Sequence, residues 1–157
     1  MKSGEMKLAL VTRLLAENPE DSEALMGHLR DILLEAKSAF QKALDVLPPQ
    51  LEEQAAEACL QLGETELKLL DWTAAQTSLA KALQIFERIH RPAKSAAARA
   101  FLAMAMRANN RPDQAEIYAK AALKYYEEFD PVRASALLSD FPALQPPAGT
   151  NSDLPNK

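Results

Sequence analysis

The sequence predicts an all-α fold built from antiparallel helix pairs, and three observations carry that prediction. The first is internal repetition. In "DWTAAQTSLAKALQIFE", Ala75, Ala82 and Leu83 are answered one period later by Ala115, Ala122 and Leu123, within "RPDQAEIYAKAALKYYE". Ala36, Ala43 and Leu44 precede the same three positions by nearly the same interval. Self-similarity at a fixed period of this size marks an array of stacked helical units. The second is composition, in which strong helix formers dominate and only 4 glycines are available for tight turns. The third is apolar residues recurring at i, i+3 and i+4 nearly everywhere up to residue 139, the spacing of a helix with one buried stripe.

Read in order, residues 5–17 carry such a stripe in Met6, Leu8, Leu10, Val11, Leu14 and Leu15. Asn18-Pro19 ends this segment, because a residue before proline is pushed out of the α region. Asp21 or Ser22 is then placed to cap a helix through Ala24, Leu25, Leu29, Ile32 and Leu33. That helix either runs unbroken to Pro48-Pro49 or breaks near Glu35 to Lys37. The next spans about Leu51 to Leu70. Thr73 opens another with the capping box Thr73-x-x-Gln76, running to about His90. Pro92 suits the first turn of a helix ending at Asn109-Asn110, and Pro112 opens one reaching Glu128. Asp130-Pro131 starts a short last helix. Six or seven helices result, with short connections that make sequential ones antiparallel neighbours. The boundaries give one helical domain over residues 1–143 and a proline-rich tail, 144–157, expected to be mobile because it buries too little to offset its ordering.

Composition excludes several classes of function. A net charge of −4 offers no basic face for nucleic acid. No apolar run approaches the ~20 residues of a membrane span, and the amino-terminal apolar stretch is too short and too charged for a signal peptide. The single cysteine, Cys59, cannot form an internal disulfide and reads as a small buried side chain, so a cytoplasmic or other reducing setting is expected. His28 and His90 stand apart from one another and from Cys59, so no metal or other cofactor is expected. The four glycines, Gly4, Gly27, Gly63 and Gly149, are isolated, which leaves no phosphate loop or nucleophile elbow. The pairs Glu52-Glu53 and Glu127-Glu128 read as solvated faces. Tyr118, Tyr125, Tyr126 and Phe129 are spaced to seal a helix interface or dock another protein, and Trp72 reads as a lid folded back on its own unit. The chain is read as non-enzymatic.

Each full unit pairs a first helix (Cys59, Leu62, Gly63, Glu66; then Arg99, Leu102, Ala103, Met106) with a second (Ala75, Leu79, Ala82; then Ala115, Ala119, Ala122). Small residues recur where two helices must approach closely. This pattern resembles the tetratricopeptide repeat, whose signature runs W-x2-L-G-x2-Y, then A-x3-F, then P. Leu62-Gly63, Ala75, Leu79 and Ala82 carry the match in one unit. Leu102, Ala103, Ala115 and Ala122 carry it in the next. Ala36, Phe40, Ala43 and Pro48 fit the second-helix half of an earlier unit. One departure is the period, longer than the family's by about one and a half helical turns in total. The other is the loss of signature aromatics at Cys59, Arg99 and Glu66.

The resemblance implies a short right-handed α-solenoid whose concave groove, lined by first helices, holds a partner's peptide or helix. Groove positions would be Glu57, Leu60, Glu64 and Leu67 from one unit, with Ala100, Met104 and Arg107 from the next. Leu60, Glu64, Ala100 and Met104 do not form a basic clamp for a terminal carboxylate, so an apolar groove for an amphipathic or extended hydrophobic segment fits better, with methionine adapting to its guest. The other reading of Leu60, Leu67 and Met104 is plain core. The expected role is an adaptor or chaperone-like module with a protein partner. The alternative is an assembly module that self-associates or packs on a larger complex through its terminal helices.

Overall fold

The computed structural model describes residues 19–146; the helix expected over residues 5–17 and the tail from residue 147 lie outside them. Within the described residues six α-helices and one short 3₁₀ turn follow one another without a strand. They are α1 (Pro19–Val46), α2 (Glu52–Lys68), α3 (Trp72–Arg88), α4 (Pro92–Ala108), α5 (Pro112–Phe129) and α6 (Pro131–Asp140), then Pro142–Leu144. Each packs on the next in the chain, so contacts are local. Helices α2 with α3 and α4 with α5 are the two repeated pairs.

Two expectations about helix starts are corrected. The helix expected to be capped at Asp21 or Ser22 already begins at Pro19, where proline's fixed φ suits a first turn, and it continues unbroken for 28 residues. No residue between Glu35 and Lys37 interrupts the hydrogen-bond ladder, so it does not break there. Thr73 is not a cap. Helix α3 starts one residue earlier, and the Asp71 carboxylate accepts the Ala74 N–H at 3.3 Å. Gln76 does not reach back to the helix start; its amide donates to the Ala105 carbonyl at 3.4 Å, tying α3 to α4.

The turns repeat as faithfully as the helices. After α2, α3 and α4 the chain takes a left-handed residue, at Leu70 (φ 62°), His90 (φ 55°) and Asn110 (φ 58°). At each, the next amide bonds back to the last helical turn: Asp71 N–H to Glu66 O, Arg91 N–H to Phe86 O and Arg111 N–H to Met106 O, all at 2.9 Å. This closing pattern satisfies helix-end carbonyls that would otherwise be orphaned. The α5–α6 turn differs: Asp130 both ends α5 and caps α6, its carboxylate accepting the Arg133 N–H at 3.2 Å.

Two apolar clusters form the core. Ala56, Cys59, Leu79, Phe86 and Leu102 fill the space between α2, α3 and α4. Ala103, Ala119, Leu123, Tyr126 and Leu137 fill that between α4, α5 and α6. Met106 and Tyr118 pack against both clusters and make them continuous. Burial pushes the Cys59 thiol above its ordinary value, as suits a side chain that acts as a small hydrophobe. Of the aromatic run, Tyr126 is buried, Tyr125 meets it edge-on, and Phe129 is 61% exposed.

Among the described residues one charge is buried. Glu66 is 2% exposed and sits where the signature has tyrosine. The Ser78 hydroxyl donates to its carboxylate at 2.8 Å, and the Lys37 ammonium lies 3.6 Å from its other oxygen and 3.4 Å from Asp71. This network joins α1, α2 and α3. One period on, the positions of Glu66 and Ser78 hold Met106 and Tyr118, so the second unit seals the same place with apolar contact.

Ion pairs stitch the exposed edge of the array. Arg88 meets Glu52 at 3.1 Å, Lys94 meets Glu57, and Arg91 holds Glu53 with two bonds of 2.8 and 3.1 Å. The paired Arg91 guanidinium holds the Glu53 carboxyl below its usual 4.5. A lowered folded value means that the pair's contribution is present above the unfolded value and is lost as pH falls through the folded one. Carboxyl-detected NMR titration is expected to place Glu53 below 4.5 in the wild type and to return it to the ordinary range in Arg91→Ala.

Candidate functional site

Helices α2, α4 and α6 lie on one side of the array and α3 and α5 on the other, as alternation in a stack of antiparallel pairs requires. Between the three first-type helices runs a cleft of about 470 Å³. Leu60 and Glu64 come from α2, Ala97, Ala100, Phe101 and Met104 from α4, and Arg133, Ala136, Leu137 and Asp140 from α6. The wall is mainly apolar, with Glu64, Arg133 and Asp140 as its charged members. Tyr126 closes it from α5. Burial pushes the Tyr126 phenol above its ordinary value, with the Arg133 guanidinium opposing the shift. A shallower extension continues past Leu60, Ala97 and Arg133 to the Glu57–Lys94 ion pair.

Four of the seven residues expected in the groove, Leu60, Glu64, Ala100 and Met104, therefore line one cavity. Glu57 lines its extension, where it is occupied by Lys94. Leu67 is not among the lining residues; it packs against the first core cluster. Arg107 is not among them either. It donates to the Asp140 carbonyl, and its guanidinium carbon stands 4.4 Å over the Phe141 ring, fixing the end of α6. Leu60 and Met104 each pack on a core cluster while presenting a face to the cleft.

The third wall, α6, is absent from the sequence-derived site. A signal for it exists: Pro131 follows Pro92 by one repeat period, which puts α6 in the register of a first helix. The same register carries Glu57 to Ala97 and Ala97 to Ala136, two cleft residues outside the expected set.

Compared with protein families, residues 54–128 match the model described as Tetratricopeptide repeat. This segment belongs to the tetratricopeptide repeat family. No curated protein and no solved structure matches the chain. The matched span covers α2 to α5 apart from the first two residues of α2 and the last of α5, which makes α2–α3 and α4–α5 the two complete tetratricopeptide units. Tetratricopeptide repeats generally mediate protein–protein interaction and are typically non-catalytic. Among the described residues no group of three or more His, Cys, Asp or Glu is placed to hold a metal ion. No described helix is long and apolar enough to cross a membrane.

Proposed function

We propose that the chain is an adaptor or chaperone-like module that takes a partner's amphipathic helix or extended hydrophobic segment into the α2–α4–α6 cleft. The observation that carries this reading is the cleft's lining. Leu60, Phe101, Met104 and Leu137 offer an apolar floor, and Ala97, Ala100 and Ala136 leave room for the guest's side chains. An amphipathic helix buries its i, i+3, i+4 anchors in such a groove. The flexible thioether of Met104 lets the floor follow different anchor shapes. Glu64 and Asp140 against Arg133 give the rim charges of both signs, which orient a guest rather than select one charge.

Peptides selected from a displayed library of amphipathic helices on the wild-type chain supply the ligand for a test. Ala136→Glu places a charge on an exposed wall residue without touching the core. It is expected to weaken binding by at least about tenfold in calorimetric titration, the cost of burying an unpaired charge. Ala121→Glu, equally exposed on α5 but outside the cleft, is expected to bind as the wild type does. Equal affinities for all three chains would refute the cleft as the site.

A further inference from the structure

Helix α1 meets the array differently from every other described helix. Of its residues from Ser22 to Val46 none is buried, whereas each of α2 to α6 buries two or more. Its seam with α2 is also gapped. Met26, Leu29 and Leu33 stand off Leu69 and Leu70 across a cleft of about 470 Å³. Phe40, Ala43 and Leu47 stand off Ala58 and Gln61 across another of about 430 Å³. Along α1, Lys37 falls between these two gaps, and its ammonium reaches both Glu66 of α2 and Asp71 at the start of α3. Leu44 adds an apolar contact with the first core cluster.

The connection to α2 differs as well. After α2, α3 and α4 an amide closes each turn onto the last turn of the preceding helix. After α1 the Leu51 N–H bonds instead to Pro48 O at 3.0 Å, inside the loop.

One period on, the same place is built without charge. Lys37 corresponds to Gln76, Glu66 to Met106 and Ser78 to Tyr118. Helix α3 therefore meets α4 through a side-chain amide on the Ala105 carbonyl and through apolar contact. Apolar burial contributes in proportion to the area removed from water. A buried ion pair contributes little net, because desolvation of both charges offsets their attraction and separation returns each to water. Lifting α1 off α2 thus costs less than parting α3 from α4, and it leaves both complete units, α2–α3 and α4–α5, in place.

We propose that α1 is a hinged cover on α2 and α3, latched by Lys37, which opens as a unit about residues 47–51 while the two tetratricopeptide units stay folded. Closed, it buries the Glu66 carboxylate and supplies Leu44 to the first cluster. Open, it leaves Lys37, Glu66 and Asp71 separately hydrated and uncovers the face of α2 that carries Ala58 and Gln61. Elements with few buried contacts are those that open below the free energy of global unfolding.

Amide hydrogen exchange of the full chain, read by mass spectrometry, tests this. In the wild type, residues 36–46 are expected to exchange at least tenfold faster than α3 and α4, roughly the contrast between a local opening and the core. Lys37→Met leaves Glu66 unpaired in the closed form. It is expected to speed exchange in that stretch by about tenfold or more, with α4 and α5 unchanged, because opening hydrates the carboxylate without unfolding the units. Lys37→Met combined with Glu66→Met copies the uncharged seal of the second unit and is expected to slow the stretch to the wild-type rate or below. Exchange of α1 in step with α3 and α4 in the wild type would overturn the proposal. So would a Lys37→Met chain in which α1 is unaffected or all helices speed up together, or a double variant that exchanges as fast as the single one.

Discussion

Phe86→Ala is expected to lower the stability of the chain by about 3–5 kcal/mol, the largest effect of any single truncation. Phe86 is fully buried at the end of α3, in the cluster that joins α2, α3 and α4. Its carbonyl also accepts the Arg91 N–H that closes the α3–α4 turn, so the ring is anchored at a point where the backbone is fixed. Neighbouring side chains cannot collapse into the vacated space without shifting one repeat unit against the next. The cavity therefore persists and adds to the lost transfer energy. In thermal unfolding this corresponds to a fall in Tm of roughly 10 °C. A loss below about 1 kcal/mol would mean that the units pack more loosely than described.

The second large effect is a coupled pair. Leu79→Ala is expected to cost about 2–5 kcal/mol, because Leu79 is fully buried against the backbone of Gly63. Gly63 exists for that contact: a Cβ there would stand 2.5 Å from Leu79 Cγ and 2.7 Å from its Cδ2. Gly63→Ala alone is expected to destabilise by about 1–3 kcal/mol through overpacking, partly offset by alanine's better helix propensity of about 1 kcal/mol. One period on, the same two positions hold Ala103 and Ala119, both fully buried. The second unit divides between two alanines the volume that the first unit gives to one leucine. The double variant, Gly63→Ala with Leu79→Ala, rebuilds that arrangement. It should lose less than the sum of its parts, with a coupling of about 0.5–3 kcal/mol in chemical denaturation. Strict additivity would disprove the equivalence of the two contacts.

That pair also shows what sequence alone makes legible. Helix order, and the close-packing face at Ala75, Ala82, Ala115 and Ala122, follow from periodicity and repetition, because each unit's contacts are local and each must bury the same stripe. Helix starts are less legible. Asp71 and Thr73 are both good caps, and only the turn at Leu70, which positions the Asp71 carboxylate over the Ala74 N–H, decides between them. The Glu66 network is invisible in the sequence because its cation, Lys37, sits on a different helix, one whose continuity periodicity leaves open.

The site is half legible for a related reason. A residue on the first helix of a unit points either into the cleft or toward the core, and helical spacing does not separate the two when both faces are apolar. Leu67 and Leu60 look alike in sequence, yet only Leu60 lines the cavity. The contribution of α6 depends on following the first-helix register on to Pro131 and Ala136, beyond the last complete helix pair.

On the proposed reading a guest contacts α2, α4 and α6 together in one cleft. Hydrogen–deuterium exchange of the chain with and without a selected helical peptide tests it most directly. Added protection is expected in three separated stretches, around residues 57–64, 97–104 and 133–140, with α3 and α5 unchanged. Protection confined to α3 and α5, or to a single one of the three stretches, would contradict it.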